Sequence, residues 1–301
     1  MPSIPFSDVM TMLYVLVDDW YQSTNRSPKA AAPGPAPALA PSEVLTILLA
    51  MDLVPFPSER GFLGFLRSTH GDLFPTLPHQ SQFNRHARRL CGLLEPVRRS
   101  WLASWAMVDG PQVILDTKPI PVMGYTRPKT RSDFAGSASY GYCASRKLPY
   151  FGYKLVMLTT LDGIPVAYDL VPAHTDERAA ADEILDQITN ADVWADKGFL
   201  GEQWHQEVRA TTDNRIWTAK RHNQRQNPAP FDSLLGSIRE RIEGTFHELQ
   251  NTGRNSERLL AKTVEGLVTR IASKVTHLVV KAVLRARFGI DVLTFTVIKE
   301  V

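Results

Sequence analysis

The sequence predicts an α/β protein: a helical N-terminal region, a mixed β-sheet domain flanked by helices, and a helical C-terminal segment. Three observations predict it. The first hundred residues repeat apolar positions at helical spacing. From Pro111 the texture turns to β-rich runs broken by turn residues, and after Thr175 helices and strands alternate.

At 301 residues the chain exceeds one comfortable core, and its 44% hydrophobic and 22% charged residues are an ordinary globular composition. The formal net charge of +3 is modest, so a nucleic-acid partner has to be argued from where the charge sits. Cys91 and Cys143 offer neither metal-ligand spacing nor a disulfide framework and fit a reducing cytosol. The apolar run 10–17 is bracketed by Asp8, Asp18 and Asp19, without a basic start or a cleavage site, and reads as the buried stripe of a first helix. No stretch is long enough to span a bilayer, so no membrane partner is expected.

Residues 28–41, rich in proline and alanine, read as an extended linker. Helix resumes at Ser42-Glu43, with Val44, Leu45, Leu48 and Leu49 as its stripe, and again from Ser81 to Leu94 through Phe83, Ala87, Leu90 and Leu94. Between 85 and 99 stand Arg85, Arg88, Arg89, Arg98 and Arg99 against one acid, Glu95. That run suits either a solvated face or phosphate contacts.

The sheet domain opens with Val113 to Val122, a strand stopped by prolines. Asp116 lies in its middle, where a carboxylate is costly unless paired. Two readings follow: a partner such as Lys118 or a loop amide, or a metal site completed by carboxylates elsewhere. A polar, glycine-rich stretch covers 124–149. Strands 151–160 and 164–171 flank Leu161-Asp162-Gly163, a hairpin turn, so three antiparallel strands open the domain. An acidic helix over 175–188 follows, then a short strand from Asp192 ending at Asp196 and Gly198, a helix over 199–210 and a strand over 215–219. Beyond the basic loop of Lys220, Arg221 and Arg225, a helix from Asp232 carries Arg239 and Glu243. The last helix, roughly 264–284, carries five basic residues between 270 and 287 (Arg270, Lys274, Lys281, Arg285, Arg287) and no acid, a one-sided stripe that suits either a solvated face or phosphate contact.

Three strands, helix, strand, helix, strand, helix, with Asp116 mid-strand, Asp196 at a strand end and Glu243 on the following helix, is the order of an RNase H-like core. Carboxylates suit Mg²⁺, a hard cation that takes oxygen ligands and leaves positions for phosphate oxygens. The local phrases sharpen this. Leu115-Asp116-Thr117-Lys118-Pro119-Ile120-Pro121-Val122, Gly141 to Lys147, Phe151-Gly152-Tyr153-Lys154-Leu155, Ala173-His174-Thr175-Asp176-Glu177, Ala195-Asp196-Lys197-Gly198-Phe199 and Arg239 to Phe246 occur in order. Together they resemble the DDE transposases of bacterial insertion sequences, most closely the insertion sequence 982 family.

The resemblance implies an RNase H-like domain over 109–255, a DNA-binding helical region over 1–108, and a helical segment, 256–301, packed on the core. It implies Asp116, Asp196 and Glu243 as catalytic residues and ligands of two Mg²⁺ ions, with Mn²⁺ able to substitute. The implied activity is metal-dependent cleavage at element ends and strand transfer to target DNA, by a homodimer on double-stranded DNA. Arg85, Arg88, Arg89, Arg146, Lys147, Lys154 and Arg239 are the expected DNA contacts. The broader group often has a tyrosine and a lysine where this chain has Gly236 and Gln250. A nuclease without strand transfer and a DNA-binding protein whose catalysis has decayed are the alternatives. Asp176, Glu177, Asp182, Glu183 and Asp186 read as a solvated helix face with dipole partners in its first turn, and one of Asp176 and Glu177 is a further candidate neighbour of the metals. His174 reads as a structural hydrogen-bond partner.

Overall fold

The computed structural model describes residues 4–24, 37–104, 112–126, 129–143, 147–220, 227–251, 253–290 and 298–299. Most of the proline–alanine segment, the boundary expected near 108–111, Arg146, and Arg221 and Arg225 of the basic loop lie outside them. The chain divides into two compact units. One comprises Met1–Trp101, Asn251–Asn255 and Glu265–Val301, the other Leu102–Gln250 and Ser256–Val264.

The first unit is helical: α1 (Phe6–Ser23), α2 (Pro41–Ala50), α3 (Glu59–Thr69), α4 (Gln80–Arg89) and most of α5 (Leu94–Ala103). α2 starts one residue before the expected cap. Pro41 suits a first helical position because its missing N–H costs nothing there, and Glu43 accepts the Ala40 N–H at 2.6 Å. The helix expected over 81–94 ends at Arg89, and a 3₁₀ turn, Cys91–Leu93, leads into α5.

Among the described residues the second unit holds six strands: β1 (Gln112–Met123), β2 (Ser139–Cys143), β3 (Leu148–Thr160), β4 (Pro165–Pro172), β5 (Asp192–Ala195) and β6 (Arg215–Thr218). Helices α6 (Glu177–Leu185) and α7 (Glu202–Thr212) alternate with the last strands, and α8 (Ala229–Asn251) follows them. β1 pairs antiparallel with β3 and parallel with β5. β3 pairs antiparallel with β4, and β5 parallel with β6. The order β4-β3-β1-β5-β6, with the first three strands antiparallel and two parallel strands beyond, is the RNase H-like arrangement. β2 was not expected. Its Ser-Tyr-Gly-Tyr-Cys run sits in a polar, glycine-rich stretch and becomes a strand by pairing with residues 148–152 of β3.

Alternation along the strands decides what each face covers. Val113 and Leu115 of β1 join Val193 and Ala195 of β5 in a core closed by Ala181, Ile184 and Leu185 of α6 and Trp204 and Val208 of α7. The opposite face meets α8, where the Lys118 ammonium lies 5.8 Å from the Phe246 ring centre and Trp194 packs against Phe231. Asp116 belongs to that second face. Between β3 and β4, Gly163 takes φ 79°, the left-handed conformation expected of the Asp-Gly turn.

Helix α9 (Val264–Phe288) differs from expectation: from Glu265 it belongs to the helical unit, not to the sheet domain. Part of its basic stripe also points inward rather than to solvent. Lys274 and Lys281 are buried, and only Arg285 and Arg287 are fully on the surface. The Lys274 ammonium reaches the buried Asp52 carboxylate at 3.0 Å, beside Arg254 at 2.8 Å. Ser273 donates to the Leu48 carbonyl, and His277 Nδ1 lies 3.0 Å from the Leu49 carbonyl oxygen. The helix is basic on its inner side because it neutralises an acid about 220 residues earlier.

Candidate active site

Parallel pairing of β1 with β5 puts Leu115 opposite Ala195, so the next residue of each strand, Asp116 and Asp196, stands at the same level on adjacent strands. Each carboxylate accepts the N–H that follows it: Asp116 Oδ1 from Thr117 at 2.7 Å, Asp196 Oδ1 from Lys197 at 2.5 Å. The second bond caps the 3₁₀ turn Lys197–Phe199, which delays α7 to Glu202, three residues later than the sequence suggests.

One turn before Glu243 on α8, Arg239 places Nη2 3.1 Å from Asp196 Oδ2. Lys118, considered as the partner of Asp116, goes elsewhere: its Nζ donates to Gln250 Oε1 at 3.1 Å and lies 3.4 Å from Glu257. Asp116 is therefore half-buried among acids. Burial pushes its pKa up to about 7, and Asp196 and Glu177 push the same way, against the Thr117 N–H and the Arg239 charge.

Glu177 is the acid that sequence reasoning placed at the margin. It opens α6, where Asp176 supplies the cap by accepting the Arg178 N–H at 3.0 Å. Glu177 Oε1 lies 3.5 Å from Thr117 Oγ1, and Oε2 lies against Gly198. The signal was the bare glycine two residues after Asp196, since a β-carbon there would sit 1.6 Å from Glu177 Oε2.

Glu243 follows Arg239 by one turn on α8 and is exposed. Among the described residues no three acidic, histidine or cysteine side chains converge closely enough to chelate an ion. The donors nevertheless fit a divalent cation in kind. They are hard carboxylate oxygens, and burial together with two neighbouring acids raises the Asp116 pKa, so a cation there would be favoured.

The expected DNA contacts are dispersed. Arg85 and Arg89 are exposed on α4, whereas Arg88 pairs with Glu265 at 3.1 Å. Arg98, counted in the same basic run, is buried against Glu95 at 2.6 Å, and Arg99 pairs with that acid too. Lys147 is exposed in the turn between β2 and β3 with φ 51°, and Lys154 of β3 donates to the Thr175 carbonyl at 2.9 Å. The backbone N–H of His174 donates to Ser139 Oγ at 2.9 Å.

A family model described as the transposase DDE domain matches residues 109–279. The chain belongs to this family. Enzymes of the transposase DDE family use divalent metal ions, in keeping with the donor chemistry around Asp116 and Asp196. Among solved structures, the crystal structure of a pre-cleavage Mos1 transpososome is similar at 12% identity, covering 89% of this chain and 86% of that chain, with a TM-score of 0.24. No curated protein matches the chain. Among the described residues, no helix of this transposase is long and apolar enough to cross a membrane.

Proposed function

We propose that this DDE transposase mobilises a bacterial insertion sequence of the 982 type, cutting DNA at its element's ends and joining the freed 3′-hydroxyl to a target in the bacterial cytoplasm. The observation that carries the reading is the side-by-side position of Asp116, in the middle of β1, and Asp196, just past the end of the paired β5, in a domain that matches the family. In this reading Asp116, Asp196 and Glu243 hold two Mg²⁺ ions, for which Mn²⁺ can substitute. Such ions supply activation of the attacking oxygen and charge stabilisation on the leaving one.

The protein's own residues orient and neutralise. Asp116 and Asp196 are fixed by the N–H groups that follow them, and Arg239 offsets Asp196 while keeping donors for a backbone phosphate. Lys147, just before β1's partner strand, and Lys154, within it, suit phosphate positioning. Arg85, Arg88 and Arg89 of the helical unit suit backbone contacts to double-stranded element ends, with two protomers serving two ends.

Asp116→Asn keeps the size of the side chain but removes a ligand charge. In a nicking and strand-transfer assay on end-bearing duplex with Mg²⁺ or Mn²⁺, it is expected to lower the rate by about 10³-fold or more while DNA binding persists, a loss of about 4 kcal/mol of transition-state stabilisation. Asp196→Asn and Glu243→Gln are expected to do the same, and Glu240→Gln to leave cleavage intact. An Asp116→Asn protein that still cut would rule the mechanism out.

A further inference from the structure

We propose that the row of exposed tyrosines on β2, with the cations beside it, is a stacking surface for unpaired DNA, the single strand that cleavage frees. The inference rests on the strand-cutting reading above and adds a surface that neither the carboxylates nor the arginines of the helical unit supply.

The stretch 124–149 differs in composition from the rest of the chain. It holds five basic residues (Arg127, Lys129, Arg131, Arg146 and Lys147) against one acid, Asp133, so its net charge of +4 exceeds the +3 of the whole sequence. Asp133 is itself engaged, accepting the Val264 N–H at 2.7 Å. Tyr125, Tyr140 and Tyr142 are interleaved with these cations. Rings among basic side chains suit a single nucleic-acid strand, whose bases stack while its phosphates are neutralised.

The fold turns that composition into a surface. Tyr140 and Tyr142 alternate with Gly141 along β2, so both rings leave one face, and they are 53% and 63% exposed. A β-carbon on Gly141 would meet Ala173 Cβ at 2.8 Å and the Tyr150 ring at 3.0 Å, so the opposite face is closed. The Tyr140 ring centre lies 5.4 Å from that of Tyr125 and 5.0 Å from that of Phe151. Lys129 Nζ stands 5.7 Å from the Tyr140 ring centre and 5.4 Å from that of Phe151, while donating to the Gly124 carbonyl at 2.9 Å and to the Tyr125 carbonyl. A cation fixed among the rings makes the platform electropositive. Exposed Lys147 follows in the turn after β2. Edge strands commonly protect themselves with charged side chains, yet the two outward positions of this one are both rings.

A duplex gains little from such a surface, because its base faces are hidden in the stack and it presents phosphates and groove edges. An unpaired strand presents the face of every base. The register also leads from the candidate site to the rings. Asp116 is opposite Met157 of β3, and Phe151, opposite Tyr140, lies on the same face of β3 about 20 Å further along. About six nucleotides at the stacked spacing of roughly 3.4 Å cover that distance.

The probe is an oligothymidylate, which cannot pair with itself, titrated with the full-length protein in the absence of divalent metal and followed by fluorescence anisotropy. A random-sequence duplex of the same length is the comparison. Tyr140→Ala combined with Tyr142→Ala is expected to weaken oligothymidylate binding about tenfold or more and to leave duplex binding unchanged. Tyr140→Phe combined with Tyr142→Phe keeps the rings and is expected to bind both as the unaltered protein does. Circular dichroism establishes folding, and Tyr142→Ala alone, expected to lose about fivefold or more, carries the test if the double variant does not fold. Unchanged strand affinity in the folded alanine variant would overturn the inference. So would an equal loss for strand and duplex, or a changed sedimentation coefficient with strand affinity intact, which would make the row a contact between two copies of this chain. An unaltered protein that cut element-end duplex yet bound no oligothymidylate would overturn it and leave the strand-cutting reading standing. A protein that bound neither would remove both.

Discussion

Asp52 and His277 show how a single residue's setting dictates behaviour far from any chemistry. Burial alone raises the Asp52 pKa, but the Arg254 and Lys274 charges outweigh it and hold the carboxyl well below the usual range. Burial lowers His277 from 6.5 to about 4, so the folded protein keeps a neutral imidazole. Both folded pKa values lie below their unfolded ones, so the unfolded chain binds more protons as pH falls and stability declines with acid. His277 contributes first, between about pH 6.5 and 4, on the order of 3 kcal/mol across the window, and Asp52 adds a further loss below about pH 4. Urea midpoints measured from pH 7 to pH 4 should fall, and His277→Asn should flatten the slope; a midpoint independent of pH would contradict this. Neither residue's state was legible in the sequence, because each partner lies more than 200 positions away. Asp116 and Asp196 were legible because the phrases around them carry the signal. Glu177 was legible only as one of two candidates beside Asp176, because the cap of α6 decides which of them turns toward Thr117.

At the scale of elements, the sheet was readable where side chains alternate against a core and unreadable where pairing alone makes the strand. β1, β3 and β4 announce themselves through β-branched and aromatic runs closed by proline or Asp-Gly. β2 has no apolar alternation and exists by pairing with residues 148–152. The basic stripe of α9 misled because a charge run on a helix says nothing about which side is wet. The same fact yields a prediction: Lys274→Met leaves Asp52 with fewer buried cations and should cost about 3–5 kcal/mol in urea denaturation. The β3–β4 turn offers a smaller test. Gly163 holds φ 79°, and a β-carbon would lie 2.6 Å from Thr245 Oγ1, so Gly163→Ala should cost about 1–2 kcal/mol. A loss below a few tenths in either variant would show that the local geometry is not what constrains it.

For the whole molecule the question is which of its basic residues can meet DNA, since the net charge of +3 is too small to decide it. The structure removes several candidates from that surface. Arg98 is buried in an ion pair with Glu95, Lys274 is committed to Asp52, and Lys281 is buried. Arg85 and Arg89 stay exposed on α4, and Arg88 is held by Glu265 in a pair that a phosphate could compete for. Each phosphate neutralised releases counterions and adds roughly 0.9 to the slope of log affinity against log salt. Affinity for end-bearing duplex should thus fall steeply between about 50 and 200 mM salt, and the combined Arg85→Ala and Arg89→Ala change should reduce that slope by about 2. The loss should be similar for any duplex sequence if these arginines touch only the backbone, and sequence-dependent if either reads a base edge. Arg98→Ala is the contrasting variant: it should destabilise the helical unit by leaving Glu95 with one partner, without changing the salt slope of the folded fraction. If the slope is instead insensitive to Arg85 and Arg89, the helical unit does not hold DNA through α4, and the binding surface has to be sought on the sheet domain around Lys147 and Lys154.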